Sequence, residues 1–297
     1  VLDGLEVRSS AQNGIVPYLC QFIVIRNCVV HDNRDDGLLA FDTQGLTVSD
    51  SEFYNNSIDP QDTYAGIHID GSGGGNDLTG FVISNCRIHD NTGGLDWNSG
   101  NGIMLGHTGV SIPVLKSLTI SGSEIYRNGN PVQNQAGRGI SGTFQGDATI
   151  TGNYIHHNAS AGLYLGDYGM RIDMTICNNN FRNNALRQLG GLTDGTAKAC
   201  NNTMIVDDPL ITGMGAEVGG NGTWFLTGNV FSFYGKTSDA WRGFIRINDA
   251  SQDTALQSDY NIFYSGGPNR WKKSDGITLT FRDWRAAGYD KNSVNPQ

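Results

Sequence analysis

One ten-residue phrase recurs along the chain and narrows the folds open to it more than any other feature. A β-branched or apolar pair, a polar stretch, an apolar residue and a closing polar-Asn appear as VIRNCVVHDN (24–33), TVSDSEFYNN (47–56), VISNCRIHDN (82–91), TISGSEIYRN (119–128), TITGNYIHHN (149–158) and TICNNNFRNN (175–184). A second phrase, Gly plus an apolar residue opening a short alternating strand, follows as GLLAFD (37–42), GIHID (66–70), GIMLG (102–106), GISGTF (139–144) and GLYLG (162–166). With Ile25, Val48, Ile83, Ile120, Ile150 and Ile176 taken as equivalent, the spacings are 23, 35, 37, 30 and 26 residues. Weaker echoes follow at 199–204, 226–231 and 257–263. A period with a floor near 23 and variable insertions describes stacked coils that carry loops.

Each strand phrase is three to six residues long and is bounded by Gly, Asn and Asp, which tolerate positive φ at corners. Glycine supplies 41 of 297 residues, about twice its ~7% average share. No long stretch of helical periodicity intervenes, so sheet rather than helix forms each repeat. Coils stacked at the ~4.8 Å strand spacing place the recurrent Val, Ile and Leu positions above one another as continuous inward columns. The expectation is an all-β parallel β-helix solenoid of roughly ten coils, one elongated domain over 1–297. Because the chain opens at Val1, it reads as a mature form or a piece excised from a somewhat longer protein.

The charge balance, 20 Lys and Arg against 29 Asp and Glu for a net −9, offers no basic cluster to neutralise phosphates. Nucleic acid is therefore not an expected partner. Apolar runs reach four residues, as at Phe22 to Ile25, far short of a bilayer span, so no membrane insertion is expected. A monomer is expected. Five cysteines (Cys20, Cys28, Cys86, Cys177, Cys200) are too few for a disulfide scaffold and lack zinc spacing. Cys177 and Cys200 occupy equivalent positions 23 residues apart, so adjacent coils could bring them within bridging range.

Through the NxxIHDN-like and GI-strand phrases the sequence resembles, over nearly its whole length, the right-handed parallel β-helix superfamily of pectate lyases, polygalacturonases and related polysaccharide-acting proteins. The tail TLTFRDWRAAGYDKNSVNP (278–296) resembles the terminal segment of secreted bacterial β-helix proteins, with a short piece to follow. The resemblance implies a right-handed solenoid, a polysaccharide partner and a secreted or cell-surface location. It specifies the fold more strongly than the activity.

Loop lengths locate a groove. The connection from the closing Asn to the opening Gly takes 4 residues at Asn33 to Gly37 and at Asn158 to Gly162, but 10 or 11 in the three coils between. These long connections are expected to stack into one wall, and the insertions 71–80 and 107–116 into a second. Between them the outward residues form a floor of Leu39, His68, Met104, Ser141 and Tyr164, flanked by Phe41, Asp70, Gly106, Thr143 and Gly166. His68 and Asp70 share one outward face, with His107 expected from the next coil and Asp96 and Arg138 from the wall. Such a group suits acid–base chemistry at His68 or His107, cation binding at Asp70 with Asp42, and neutralisation of a uronate carboxylate by Arg138. Tyr64 and Trp97 are candidates to stack on sugar rings, with Asp96, Met104, Ser141 and Tyr164 completing a substrate surface. His31, His89 and His156, which share a repeat position with Tyr54 and Tyr126, read as structural, as does the recurrent Asn of each coil.

The polygalacturonase pattern of a DD pair, an NTD and a GHG is present only as Asp35-Asp36 and Gly106-His107, out of context. The pectate-lyase pattern of clustered calcium-binding acids and a basic residue is approached only by Asp70, with Asp42 or Asp96, and Arg138. A lyase of this acidic chain would use calcium to neutralise the uronate. Two functions stay open: a polysaccharide lyase or glycoside hydrolase acting in this cleft, or a non-catalytic glycan-binding or extracellular structural module.

Overall fold

In the computed structural model the described residues are 1–58, 65–72, 77–93, 99–106, 112–130, 137–167, 169–211, 213–234, 243–265 and 271–296. Three parallel sheets run the length of a right-handed solenoid. Sheet 1 passes from Leu2–Asp3 to Gln257–Asp259 and sheet 2 from Glu6–Arg8 to Ile262–Ser265. Sheet 3 passes from Leu38–Phe41 to Trp271–Lys272, where antiparallel Thr278–Leu279 closes it. The regular part has about eight turns, not the ten expected from the phrase count. The first coil enters sheet 3 only through isolated bridges such as Ile15 to Leu38.

The register bears out the repeat alignment. Ile25, Val48, Ile83, Ile120, Ile150 and Ile176 face one another strand to strand, and each is fully buried. Each such side chain contributes about 1.5–3 kcal/mol of burial, the term that offsets the ordering of so much irregular chain. At the C-terminal end Trp271, Trp284 and Phe263 close the column, under a short helix, Phe281–Ala286, capped by Thr280.

The corners explain the rest of the repeat. Asn33, Asn56, Asn91, Asn128, Asn158 and Asn184 form one buried column in which each Nδ2 donates to the next Oδ1 at 2.8–3.2 Å. The column ends on Gln188. A Cβ on Gly102 would stand 2.7 Å from the Gly139 carbonyl oxygen and 2.8 Å from Asn128 Nδ2, so the Asn column dictates the Gly that opens the next strand. His31, Tyr54, His89, Tyr126 and His156 stack as five near-parallel rings, with centroids 4.6–5.3 Å apart. A second column, Asn153, Asn179, Asn202, Asn229 and Asn261, lines the corner between sheets 1 and 2. Ser51 and Ser123 hold its place in earlier coils.

Cys177 and Cys200, opposite each other in sheet 1, form a disulfide with Cα atoms 4.6 Å apart. The insertion expected as a second loop wall is partly sheet. Asp77–Thr79 pairs in parallel with the first half of Val114–Ser121, which in turn pairs with Gln145–Thr151.

Candidate functional site

The outward row of sheet 3 falls as the alternation requires. Leu39 faces His68, His68 faces Met104, Met104 faces Ser141 and Ser141 faces Tyr164. Beside it Phe41 faces Asp70. The floor is not an open face: His68 is 6% exposed, Met104 3% and Ser141 4%. Tyr64, Asp96, Trp97 and His107 lie outside the described residues.

His68 sits between two carboxylates. Its Nδ1 is 3.3 Å from Asp36 Oδ2, while Asp36 Oδ1 accepts the Ala65 backbone N–H at 2.7 Å, which fixes the carboxylate. Asp70 Oδ2 lies 3.9 Å from His68 Nε2, too far for a hydrogen bond, and that nitrogen is buried without a hydrogen-bond partner among the described residues. Burial works to lower the imidazole pKa, but the charge and hydrogen bond of Asp36, together with Asp70, outweigh it and hold the ring above its ordinary value. One ring nitrogen is thus anchored on a fixed carboxylate and the other is buried beside Asp70 without a hydrogen-bond partner among the described residues.

Arg138 belongs to a different cluster. It lies two residues before the strand Ile140–Gly142, and its Nη1 donates to Ser141 Oγ at 2.9 Å. Its guanidinium lies over the Tyr164 ring at 5.0 Å, and Arg187 lies over the same ring at 4.7 Å. Burial and the neighbouring Arg187 pull the Arg138 pKa down to about 10. Two strands separate Ser141 from His68, about 10 Å at the ~4.8 Å spacing of a sheet, so Arg138 stands outside the reach of the histidine.

Asp42 and Asp70 adjoin at the end of the strands but are already engaged. Asp42 Oδ1 accepts the Ser72 N–H at 2.9 Å and Asp70 Oδ1 accepts the Gly71 N–H at 2.8 Å. No cluster of three or more ligating side chains occurs among the described residues.

Four residues along the row escaped the sequence reading as parts of it: Asp36, Arg187, Glu217 and Tyr18. Asp36 occupies the position before the strand-opening Gly, which across coils reads Asp36, Ala65, Asn101, Arg138 and Ala161. Aligning that position would have placed Asp36 one coil from His68. Arg187 and Glu217 lie on Arg187–Leu192 and Met214–Gly219, strands that keep the register but lack the GI phrase. At the other end Tyr18 stacks on Phe41 with centroids 5.8 Å apart, an exposed aromatic step beside Asp70.

A three-sheet parallel solenoid with a polar, partly enclosed row along one sheet defines the class of protein. The chain belongs to the right-handed β-helix family, whose "Right handed beta helix region" model matches residues 1–81 and 80–237. No curated protein and no solved structure gave a match.

Proposed function

We propose that the protein cleaves a polysaccharide lying across the strands of sheet 3, with His68 moving the proton. The observation that carries this reading is the Asp36–His68 pair, in which a buried, backbone-anchored carboxylate orients Nδ1 and leaves Nε2 unpartnered. A histidinium held in this way donates from Nε2 to the glycosidic oxygen as its bond breaks, a need shared by elimination and hydrolysis. The carboxylate does for the ring what the aspartate does in a triad: it selects the tautomer and stabilises the charged form. Tyr18 and Phe41 provide a surface on which a sugar ring one or two units away can stack. The Cys177–Cys200 bridge accords with action outside the cytoplasm.

The test is incubation with a panel of uronate-containing and neutral polysaccharides, with and without calcium, following ultraviolet absorbance of unsaturated product alongside reducing ends. Unsaturated product identifies a lyase, and reducing ends alone a hydrolase. In either case His68→Gln should lower turnover by about 10²–10⁴-fold with the fold retained, the usual worth of a proton-transfer group. Cleavage that survives in His68→Gln overturns the assignment, and absence of product across the panel leaves the glycan-binding alternative.

A further inference from the structure

The C-terminal half of the sheet 3 row carries a second cluster whose charge is not balanced. Arg138, Arg187 and Glu217 converge on Tyr164, so two cations meet one carboxylate. Arg187 Nη1 stands 2.8 Å from Glu217 Oε2 but out of line for a hydrogen bond, and Glu217 is further held by Asn248. Arg187 Nε is a buried donor with no hydrogen-bond partner among the described residues. Arg138 has no carboxylate within ion-pairing range among the described residues, its side chain meeting Ser141 and the Tyr164 face instead. Two guanidiniums flanking one ring, one of them with an unmet N–H, form a fork-like set of donors suited to a planar or tetrahedral oxyanion.

We infer that Arg138 and Arg187, braced on Tyr164, receive an anionic substituent of the polysaccharide, a carboxylate or a sulfate, two to three coils from the sugar bonded at His68. The inference rests on the polysaccharide reading of the same face and deepens it by assigning an acidic substrate and its register. The site is a positioning subsite, because at ~4.8 Å per strand the register keeps the Ser141 strand about 10 Å and the Tyr164 strand about 14 Å from the histidine. An entering anion would gain charge-assisted hydrogen bonds and relieve the repulsion between the two arginines. On a chain of net charge −9 this local reversal of sign also decides where along the row an acidic polymer can lie.

The experiment measures binding of oligogalacturonate, dextran sulfate and neutral dextran by calorimetry, using His68→Gln so that no cleavage intervenes. Carrying Arg138→Gln or Arg187→Gln in addition should weaken an acidic probe by about 10-fold or more, with circular dichroism as a fold control. The better of oligogalacturonate and dextran sulfate tells carboxylate from sulfate. Equal affinity for neutral dextran, no binding of either acidic probe, or unchanged affinity in both folded arginine variants overturns the inference. Failure of the cleavage reading looks different: wild type then processes nothing, while acidic binding still depends on Arg138. Cleavage of a neutral polymer that Arg138→Gln leaves intact would sink the subsite and spare the histidine.

Discussion

At the scale of single residues the charge state of His68 bears on stability and, on the proposed reading, on turnover. Its folded pKa lies above the unfolded value, so the stabilisation from its carboxylate neighbours is fully present below the unfolded value and is lost as pH rises through the folded one. As a proton donor it should show the same sign in activity, with turnover falling on the alkaline side. Asp36→Asn removes the neighbouring charge and should move that alkaline limb to lower pH, readable in the pH profile of kcat with thermal melting as a fold control. Thiols offer an independent check on the packing. Cys28 and Cys86 are buried, with burial pushing the Cys86 pKa up to about 11, whereas Cys20 is half-exposed. An aromatic disulfide reagent should titrate one thiol in the native protein and three after denaturation without reductant, the five cysteines less the two in the bridge. His68 and Asp70 were legible from strand alternation alone. Asp36 was not, because its partner lies one coil away and only a full register alignment brings the two together. The grouping of Arg138 with His68 failed for a related reason: loop lengths give a wall but not the coil from which each residue reaches.

Elements here are defined less by strand propensity than by what stacks at their ends. Asn128 donates to the Ile88 carbonyl at 3.1 Å and to Asn158, and accepts from the backbone N–H and side chain of Asn91. Asn128→Ala leaves several of these buried groups unpaired, at about 1–3 kcal/mol each, so a loss of about 3 kcal/mol in urea unfolding is expected. Gly102→Ala should be comparably damaging, because the added methyl meets backbone and the same Asn column. The fold was legible because a solenoid writes its register into the chain as a repeat, and the closing Asn and opening Gly are two sides of one contact. The second Asn column was less visible, since Cys28, Ser51, Cys86 and Ser123 occupy its positions before Asn153. The turn count, about eight against roughly ten, differs only slightly from that reading.

For the whole molecule, cross-linking and chain length act together. The Cys177–Cys200 bridge closes a 23-residue separation, worth about 3 kcal/mol in the chain-entropy account. A Cys177→Ser, Cys200→Ser double variant should therefore unfold at a lower temperature by calorimetry while retaining its far-ultraviolet circular dichroism. The molecule is also asymmetric along its axis. The two amide columns overlap only in the coils of Asn153 with Asn158 and Asn179 with Asn184, beside the covalent staple; earlier coils have a hydroxyl or a thiol at the second corner, and later coils keep only the column between sheets 1 and 2. Coils contact only their neighbours, so this distribution has a consequence: pulled or warmed, the solenoid should open from its ends toward the doubly tied coils around Ile155 and Phe181. His68 lies nearer the end that opens and Arg187 beside the coils that hold, so the two clusters of the sheet 3 row should lose their order in that sequence.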